Sequence, residues 1–283
     1  MGSNPTLSAT SFFPVIHVKD LIPSTFRPAV RSLYHRAYRL RLGVEWWARD
    51  RLSRDAALPP AKLRFRVGES SDSRVFLDVG RRTADNVRAC LATVGFELRP
   101  GMAALDFGCG CGRTLRWLTR EWRDVSWHGT DVDAEAVGWC RSHLPGRFEV
   151  NGPMPPLPFP NASFDLVLGV SVFTHLDEPV QRGWAAELRR VLRPEGVALL
   201  SFYSEHVWRA TEDAAEIDRG EFVFRRSTKL KGIVPEGYHT ALQNRDRIRR
   251  MLGEWFGRVE FVDRGFGDHD GVVAGSPGAT ISE

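Results

Sequence analysis

Three glycines alternate in the stretch ALDFGCGCGRTLRWL: Gly108, Gly110 and Gly112. An apolar run precedes them and a helix-forming run follows. Residues without side chains let backbone N–H groups approach a ligand and let the chain take positive φ. A helix beginning near Arg113 would point its N-terminus at the same place, which favours an anionic group. The loop therefore suits a polar, negatively charged ligand held against the backbone. Nineteen residues after Gly112, Asp131 stands in HGTDVD, at the end of the next apolar run. An acidic residue there can accept hydrogen bonds from two ribose hydroxyls, and it repels a ribose phosphate. The spacing is G-x-G-x-G rather than the G-x-G-x-x-G of dinucleotide sites, and no Lys follows as a phosphate-cradling P-loop requires.

Further along, His175 in SVFTHLDE follows the fourth apolar run. A His there is a candidate general base or acceptor-orienting group; a structural His is the competing reading. His206 and His239 fall in a less regular stretch, where His239 is a second candidate for catalysis. His269, in GDHDG, reads as a turn residue. Phe173, Trp208 and Tyr238 are candidate aromatic walls for an acceptor, or faces for a cation, although core packing accounts for their spacing equally well.

Positioning these residues requires regular elements, and the sequence has them. GMAALDFG, DVSWHGTDV, RFEVNG, FDLVLGVSVF and GVALLSFY read as strands. RTLRWLTREW, AEAVGWCRSHL and PVQRGWAAELRRVL read as the helices between them. Strands alternating with helices over 103–203 predict parallel βαβ units in an open, doubly wound α/β sheet with right-handed crossovers. Ligands of such sheets bind beyond the carboxyl ends of the strands, where the glycine loop lies. NRDRIRRMLGEWF reads as a last helix, and RVEFVDRG with DGVVAGS as an antiparallel pair closing the sheet. The expected organisation is a basic helical extension or lid over 1–95, then an α/β domain over 96–283 carrying a cap insertion at about 204–240.

The 283 residues are 42% hydrophobic and 26% charged, ordinary globular values. No run of 18 apolar residues occurs, and the N-terminus lacks the pattern of a secretory signal. Cys90, Cys109, Cys111 and Cys140 fit neither a disulfide framework nor a paired zinc site, so no metal is expected and a reducing, cytoplasmic compartment is. The net charge of +4 is uneven: residues 1–99 hold 17 Lys and Arg against 9 Asp and Glu. The basic part centres on RSLYHRAYRLRLGVEWWARDRLSRD. It reads as a solvated helix face or as a contact for an anionic partner, a membrane surface or an acidic substrate.

LDFGCGCGR, GTDVD, PLPFPNASFDLVLGVSVFTHL and LRRVLRPEGVALLS, in that order, resemble the class I S-adenosylmethionine-dependent methyltransferases. The upstream RFRVGESSDSRVFLDVGRRTADNVRACL is similar to the lead-in of bacterial small-molecule and glycan-associated members. The resemblance implies a Rossmann-like sheet, mostly parallel with a C-terminal antiparallel pair, and S-adenosylmethionine as cofactor. It implies that the glycine loop holds the methionine end, with Asp106 and Arg113 near its amino and carboxylate groups. Asp131 would take the ribose and Val132 the adenine, with Met154 beside it. Many relatives carry Asp where Asn151 or Gly152 stands. Ser171 would border the methyl-transfer point.

The fourth strand ends LGVSVF rather than in the Asn/Asp-Pro-Pro-Tyr run of amino-methylating nucleic-acid enzymes, so the favoured acceptor is an O or N atom of a small molecule such as a secondary metabolite or sugar. An RNA or membrane-linked acceptor, a partner subunit that binds cofactor without transferring methyl, and a non-methylating use of the cofactor are the alternatives.

Overall fold

The computed structural model describes residues 27–52, 57–227, 230, 232–234 and 238–276. The N-terminal stretch read above for a secretory signal, and parts of the expected cap, lie outside them. The chain divides into two compact units, 1–44 and 45–283. A helix, α1 (Arg27–Leu52), supplies the described part of the first and runs on into the second.

Among the described residues, nine strands form two sheets. The large one has the order β3-β2-β1-β4-β5-β9-β8, with β1 Ala103–Phe107, β2 Ser126–Asp131, β3 Arg147–Val150, β4 Phe164–Gly169, β5 Leu192–Tyr203, β8 Arg258–Val262 and β9 His269–Gly275. The pairings from β3 to β5 are parallel. Strand β9 is antiparallel to both β5 and β8. The Rossmann-like sheet with its C-terminal antiparallel pair is therefore present as expected from the sequence.

Alternation along the strands sorts the core into two layers, as a pleated strand requires. Ala104, Leu166, Val197 and Leu199 point to the face covered by α3 (Ser73–Thr93), α4 (Leu115–Glu121) and α5 (Ala134–His143). Leu105, Val167, Ala198 and Leu200 point to the face covered by α6 (Glu178–Val191) and α9 (Arg245–Gly253). Strands covered on both faces read as near-continuous apolar runs, which is why they were legible. The helix starts are fixed by carboxylate and amide caps: Asp72 for α3, Asp133 for α5, Asp177 for α6 and Asn244 for α9.

Two expectations change. The boundary placed at residue 95 is not where the chain divides, because the short helix α2 (Ala61–Arg66) and α3 belong to the sheet's own body. Leu63, Phe76, Val87 and Leu91 lie in one core with Ala104 and Leu118. Periodicity showed an apolar face on α3 but not what covers it. The cap is also more regular than expected. It holds α7 (Glu205–Trp208), α8 (Ala214–Asp218) and an antiparallel ladder of β6 (Val223–Arg225) with β7 (Thr240–Leu242). Three-residue strands are too short to declare a period.

One buried amide ties this body to the cap. Gln181 on α6 is fully buried. Its Nε2 donates to the carbonyls of Phe173 (2.7 Å) and Leu176 (3.1 Å), the two ends of the 3-10 turn that carries His175. Its Oε1 accepts from Gln243 Nε2 at 2.8 Å, directly after β7. Gln181→Leu strands these partners, so it is expected to destabilise the fold by about 1–3 kcal/mol. Denaturant unfolding with an unchanged m-value measures this; no loss of stability would remove Gln181 from its structural role.

Candidate active site

The carboxyl ends of β1, β2 and β4 meet at the glycine loop. Gly108 and Gly110 have φ of +80° and +53°. A Cβ on Gly108 would meet Val172 Cγ2 at 2.4 Å, and one on Gly110 would meet Val67 Cγ1 at 2.5 Å. Both positions thus require glycine twice over, for conformation and for space. Gly108 and Cys109 donate their amides to the carbonyl of Thr130, at 2.7 and 2.9 Å. Gly110 donates to Asp131 Oδ2 at 2.7 Å, and Asp133 donates its amide to Asp131 Oδ1 at 2.8 Å. The Asp131 carboxylate is therefore fixed at the floor of the site with lone pairs left for further donors. Burial pushes its pKa up, and the Asp133 and Gly110 amides oppose that.

Two adjoining cavities open here, of about 430 and about 580 Å³. Gly108, Asp131, Ser171, His175 and Tyr238 stand in the walls of both, so the two adjoin along these residues. The smaller contains Asp106, Gly110 and Arg113, together with the Arg66–Glu69 strap that follows α2. The larger contains Val132, Asn151, Met154 and, from the cap, Phe224 and His239.

Asp106 is buried near the end of β1, in the wall of the smaller cavity. Burial, reinforced by the Asp131 charge and opposed by Arg113, pushes its pKa up to about 7. Burial likewise lowers the pKa of Arg113. A buried carboxyl in a cavity wall favours a cation. Asn151 is buried as well. Its Nδ2 donates to the Gly152 carbonyl at 2.7 Å, while its Oδ1 has no partner. That orphan acceptor lies at the end of β3, where a donor such as an adenine amino group would satisfy it. The departure from Asp in the sequence is thus compatible with the same contact.

His175 Nδ1 lies 2.7 Å from the carbonyl of His239. A carbonyl only accepts, so Nδ1 carries the proton and Nε2 holds a lone pair. Burial lowers the pKa of His175, the largest opposing influence being that same hydrogen bond. The ring lies 5.0 Å from that of Tyr238, whose hydroxyl donates to the Arg66 carbonyl at 3.0 Å. Ser171 takes a left-handed φ of +60°, and such strain in a non-glycine residue is characteristic of functional sites. Its amide donates to the buried Ser201 Oγ at 2.7 Å, which in turn lies 3.3 Å from His269 Nδ1.

The structure gathers most of the residues named from the sequence: Asp106, Gly108, Gly110, Arg113, Asp131, Val132, Met154, Ser171, His175, Tyr238 and His239 all line the adjoining cavities. Three do not. Gly112 lies behind the loop, where a Cβ would meet Leu144 Cδ1 at 2.2 Å, so this glycine serves close packing against α5. Phe173 is fully buried against Phe202 in the α6 layer. Trp208 is buried with Ile217 and Leu242 inside the cap. Neither residue lines either cavity. Helix α4 starts at Leu115, so Arg113 sits in the preceding turn rather than on a helix N-terminus. The ring of His239 is engaged, its Nδ1 accepting from the Ser227 amide at 3.3 Å. His206 pairs with exposed Asp268 outside the cavity. His269 opens β9 and packs against Tyr203, holding a pKa of about 4 through burial.

Sequence reading missed the Arg66 strap. Arg66 Nη1 donates to Asp133 (2.8 Å) and its Nε to the Ile233 carbonyl (3.0 Å), joining the cap to the residue that braces Asp131. The glycine in RVGES was the available signal: a Cβ on Gly68 would meet Arg113 Nη1 at 2.6 Å.

Sheet order, glycine loop and the acidic end of β2 together define a class I S-adenosylmethionine-dependent methyltransferase domain. The family described as a methyltransferase domain matches residues 104–196, and that segment belongs to it. Over 140 residues the chain is 39% identical to the phthiotriol/phenolphthiotriol dimycocerosates methyltransferase of Mycobacterium tuberculosis, covering 49% of this chain and 47% of the relative. It is 36% identical over 101 residues to the fatty-acid O-methyltransferase of Mycolicibacterium smegmatis, covering 35% of this chain and 36% of the relative. The chain thus spans between about a third and a half of the length of these relatives. Among solved structures, a Nostoc punctiforme protein provisionally assigned as an O-methyltransferase shares the fold with a TM-score of 0.52 at 14% identity, covering 75% of this chain and 59% of that one.

If Asp106 meets a cationic amino group, the free protein must release a proton to bind it below pH 7. Affinity for S-adenosylmethionine is then expected to be full above about pH 7 and to weaken as pH falls through that value, by up to about tenfold per unit. Calorimetry at several pH values, repeated in buffers of different ionisation enthalpy, measures the linked proton; a flat profile would remove Asp106 from this role. Asp131→Ala is expected to cost about 1.5–3 kcal/mol of cofactor affinity for each charge-assisted bond lost.

Proposed function

We propose that this protein transfers a methyl group from S-adenosylmethionine to an oxygen of a small, largely apolar acceptor. The observation that carries the reading is the pair of adjoining cavities, with Asp106 in the wall of one, Asn151 in the wall of the other, and Asp131 and His175 in the walls of both. The bonding needs of Asp106, Asp131 and Asn151 match, in that order, an amino group, ribose hydroxyls and an adenine amino group. When bound, the cofactor supplies a methyl group made electrophilic by its sulfonium. The protein's share is alignment, exclusion of water and control of one proton.

His175 is placed for the proton. Its Nδ1 is committed to the His239 carbonyl, so Nε2 is the atom that can accept from an acceptor hydroxyl. Its lowered pKa keeps it neutral to more acidic pH than an ordinary histidine. Ser171, held by Ser201, and Tyr238, held by the Arg66 carbonyl, frame the same point. The wall built by Leu176, Val180, Phe224, Leu230 and Val234 is apolar and favours a hydrocarbon-rich acceptor. The names of the two mycobacterial relatives, a fatty-acid and a dimycocerosates methyltransferase, support that class.

Calorimetry with S-adenosylmethionine and S-adenosylhomocysteine, followed by turnover on hydroxylated and carboxylated lipids, tests the proposal. Transfer is expected to add about 14 mass units to the acceptor and release S-adenosylhomocysteine; binding without turnover on any such acceptor would favour a partner subunit instead. His175→Gln is expected to lower kcat by about 10²–10⁴ with cofactor affinity retained. At saturating cofactor, the acid limb of kcat is expected below the ordinary histidine pKa of about 6.5. An unchanged kcat in the variant would exclude His175 as the base.

A further inference from the structure

Helix α1 carries a pattern that methyl transfer does not use. Val30, Leu33, Ala37, Leu40, Val44 and Trp47 recur at alternating spacings of three and four, which sets them along one face. That face is open: Leu33 is 69%, Leu40 72%, Val44 68% and Trp47 63% exposed. Tyr34 and Leu52 extend it and are exposed too. Large apolar residues scattered singly need no explanation, but an aligned series on one helix does. Beyond Val44 the helix is fastened by other residues. Trp46 packs on Phe65 with ring centroids 5.6 Å apart. Arg49 donates to Asp72 at 3.0 Å, and Asp50 accepts the Ala61 amide at 2.8 Å. Trp47 and Leu52 are left outside that fastening.

Charge decides what covers the face. Residues 27–44 contain five arginines and no acidic residue. At 100° per residue, Arg36 and Arg41 flank the apolar stripe on opposite sides, and both are exposed. Arg51 continues it, within 5.5 Å of the Trp47 ring. A second copy of the helix would bring another Arg36 and Arg41 to the same seam, with no acid from residues 27–44 of either chain. A nucleic acid would answer the arginines but leave Leu33, Leu40 and Val44 in water. An anionic lipid surface answers both: aliphatic side chains enter the headgroup–acyl boundary while arginines at the flanks meet phosphates.

We propose that α1 is an interfacial helix that seats the protein on an anionic lipid bilayer. The inference is independent of the reaction proposed above. Co-sedimentation of the whole protein with phosphatidylglycerol-containing and pure phosphatidylcholine vesicles tests it. Binding to the anionic vesicles is expected, and it should fall as salt rises from about 0.01 to about 0.15 M and the Debye length shrinks from about 30 to about 8 Å. Leu33→Glu and Leu40→Glu are each expected to weaken partitioning by about tenfold or more. Arg36→Glu with Arg41→Glu should abolish the preference for anionic lipid. Calorimetric cofactor affinity of these variants should match that of the parent, which separates lost seating from lost folding. No sedimentation at low salt would overturn the proposal. So would binding to duplex RNA that ignores the leucine substitutions. A dimer in solution that Leu40→Glu dissociates, with no vesicle binding, would assign the face to a second copy and overturn it equally.

Discussion

The site depends on one carboxylate. Asp131 receives the amide of Gly110 on one oxygen and that of Asp133 on the other. The first bond ties the loop after β1 to the end of β2. The second turns the chain into α5, whose first turn Asp133 caps through the amides of Glu135 and Ala136. Asp133 in turn holds Arg66, which holds the cap through the Ile233 carbonyl. The loop's shape, the start of α5 and the fastening of the cap thus share a single anchor. Each bond from those amides offsets part of the desolvation that burial imposes on the carboxylate.

Asp106 is the counterpart without such support. Two carboxyl groups face one small cavity, and burial pushes both pKa values up; backbone amides oppose that at Asp131 and the Arg113 charge opposes it at Asp106. A cationic group beside Asp106 would offset the burial that pushes its pKa up. On the acceptor side the organisation is different. Gln181 fixes the 3-10 turn, the turn presents His175, and the His239 carbonyl selects its tautomer. His175 is therefore set from two sides, by Gln181 in the sheet's own body and by the His239 carbonyl, 64 residues further along the chain.

The parallel strands, the glycine loop and Asp131 were legible in the sequence because each rests on local rules. Buried strands are continuous apolar runs, and close approach of backbone demands glycine. What was not legible depends on which way a residue faces. Phe173 and Trp208 stand near cavity-lining positions in sequence, yet their rings turn into the core. Gly112 belongs to the loop by spacing, but Leu144 occupies the space beside it. Arg66 and Gln181 act across separations of 167 and 62 residues, and no periodicity reports such contacts. Asn151 could be named only as a departure; its orphan oxygen became visible once β3 was paired with β2.

The thiols around the loop have a consequence of their own. Cys109, Cys111 and Cys140 are buried and free. Cys140 Sγ and Cys109 Sγ both lie within sulfur hydrogen-bond reach of the Gly110 carbonyl, and Cys111 Sγ reaches that of Leu63. A neighbouring thiol and burial hold Cys109 in its protonated form, and burial does the same for Cys111. Protonated thiols are poor nucleophiles. Alkylating reagents and peroxides therefore meet inert sulfur as long as the loop is shut. Their rate of reaction becomes a clock for its opening, and any ligand that holds the loop against the backbone slows that clock.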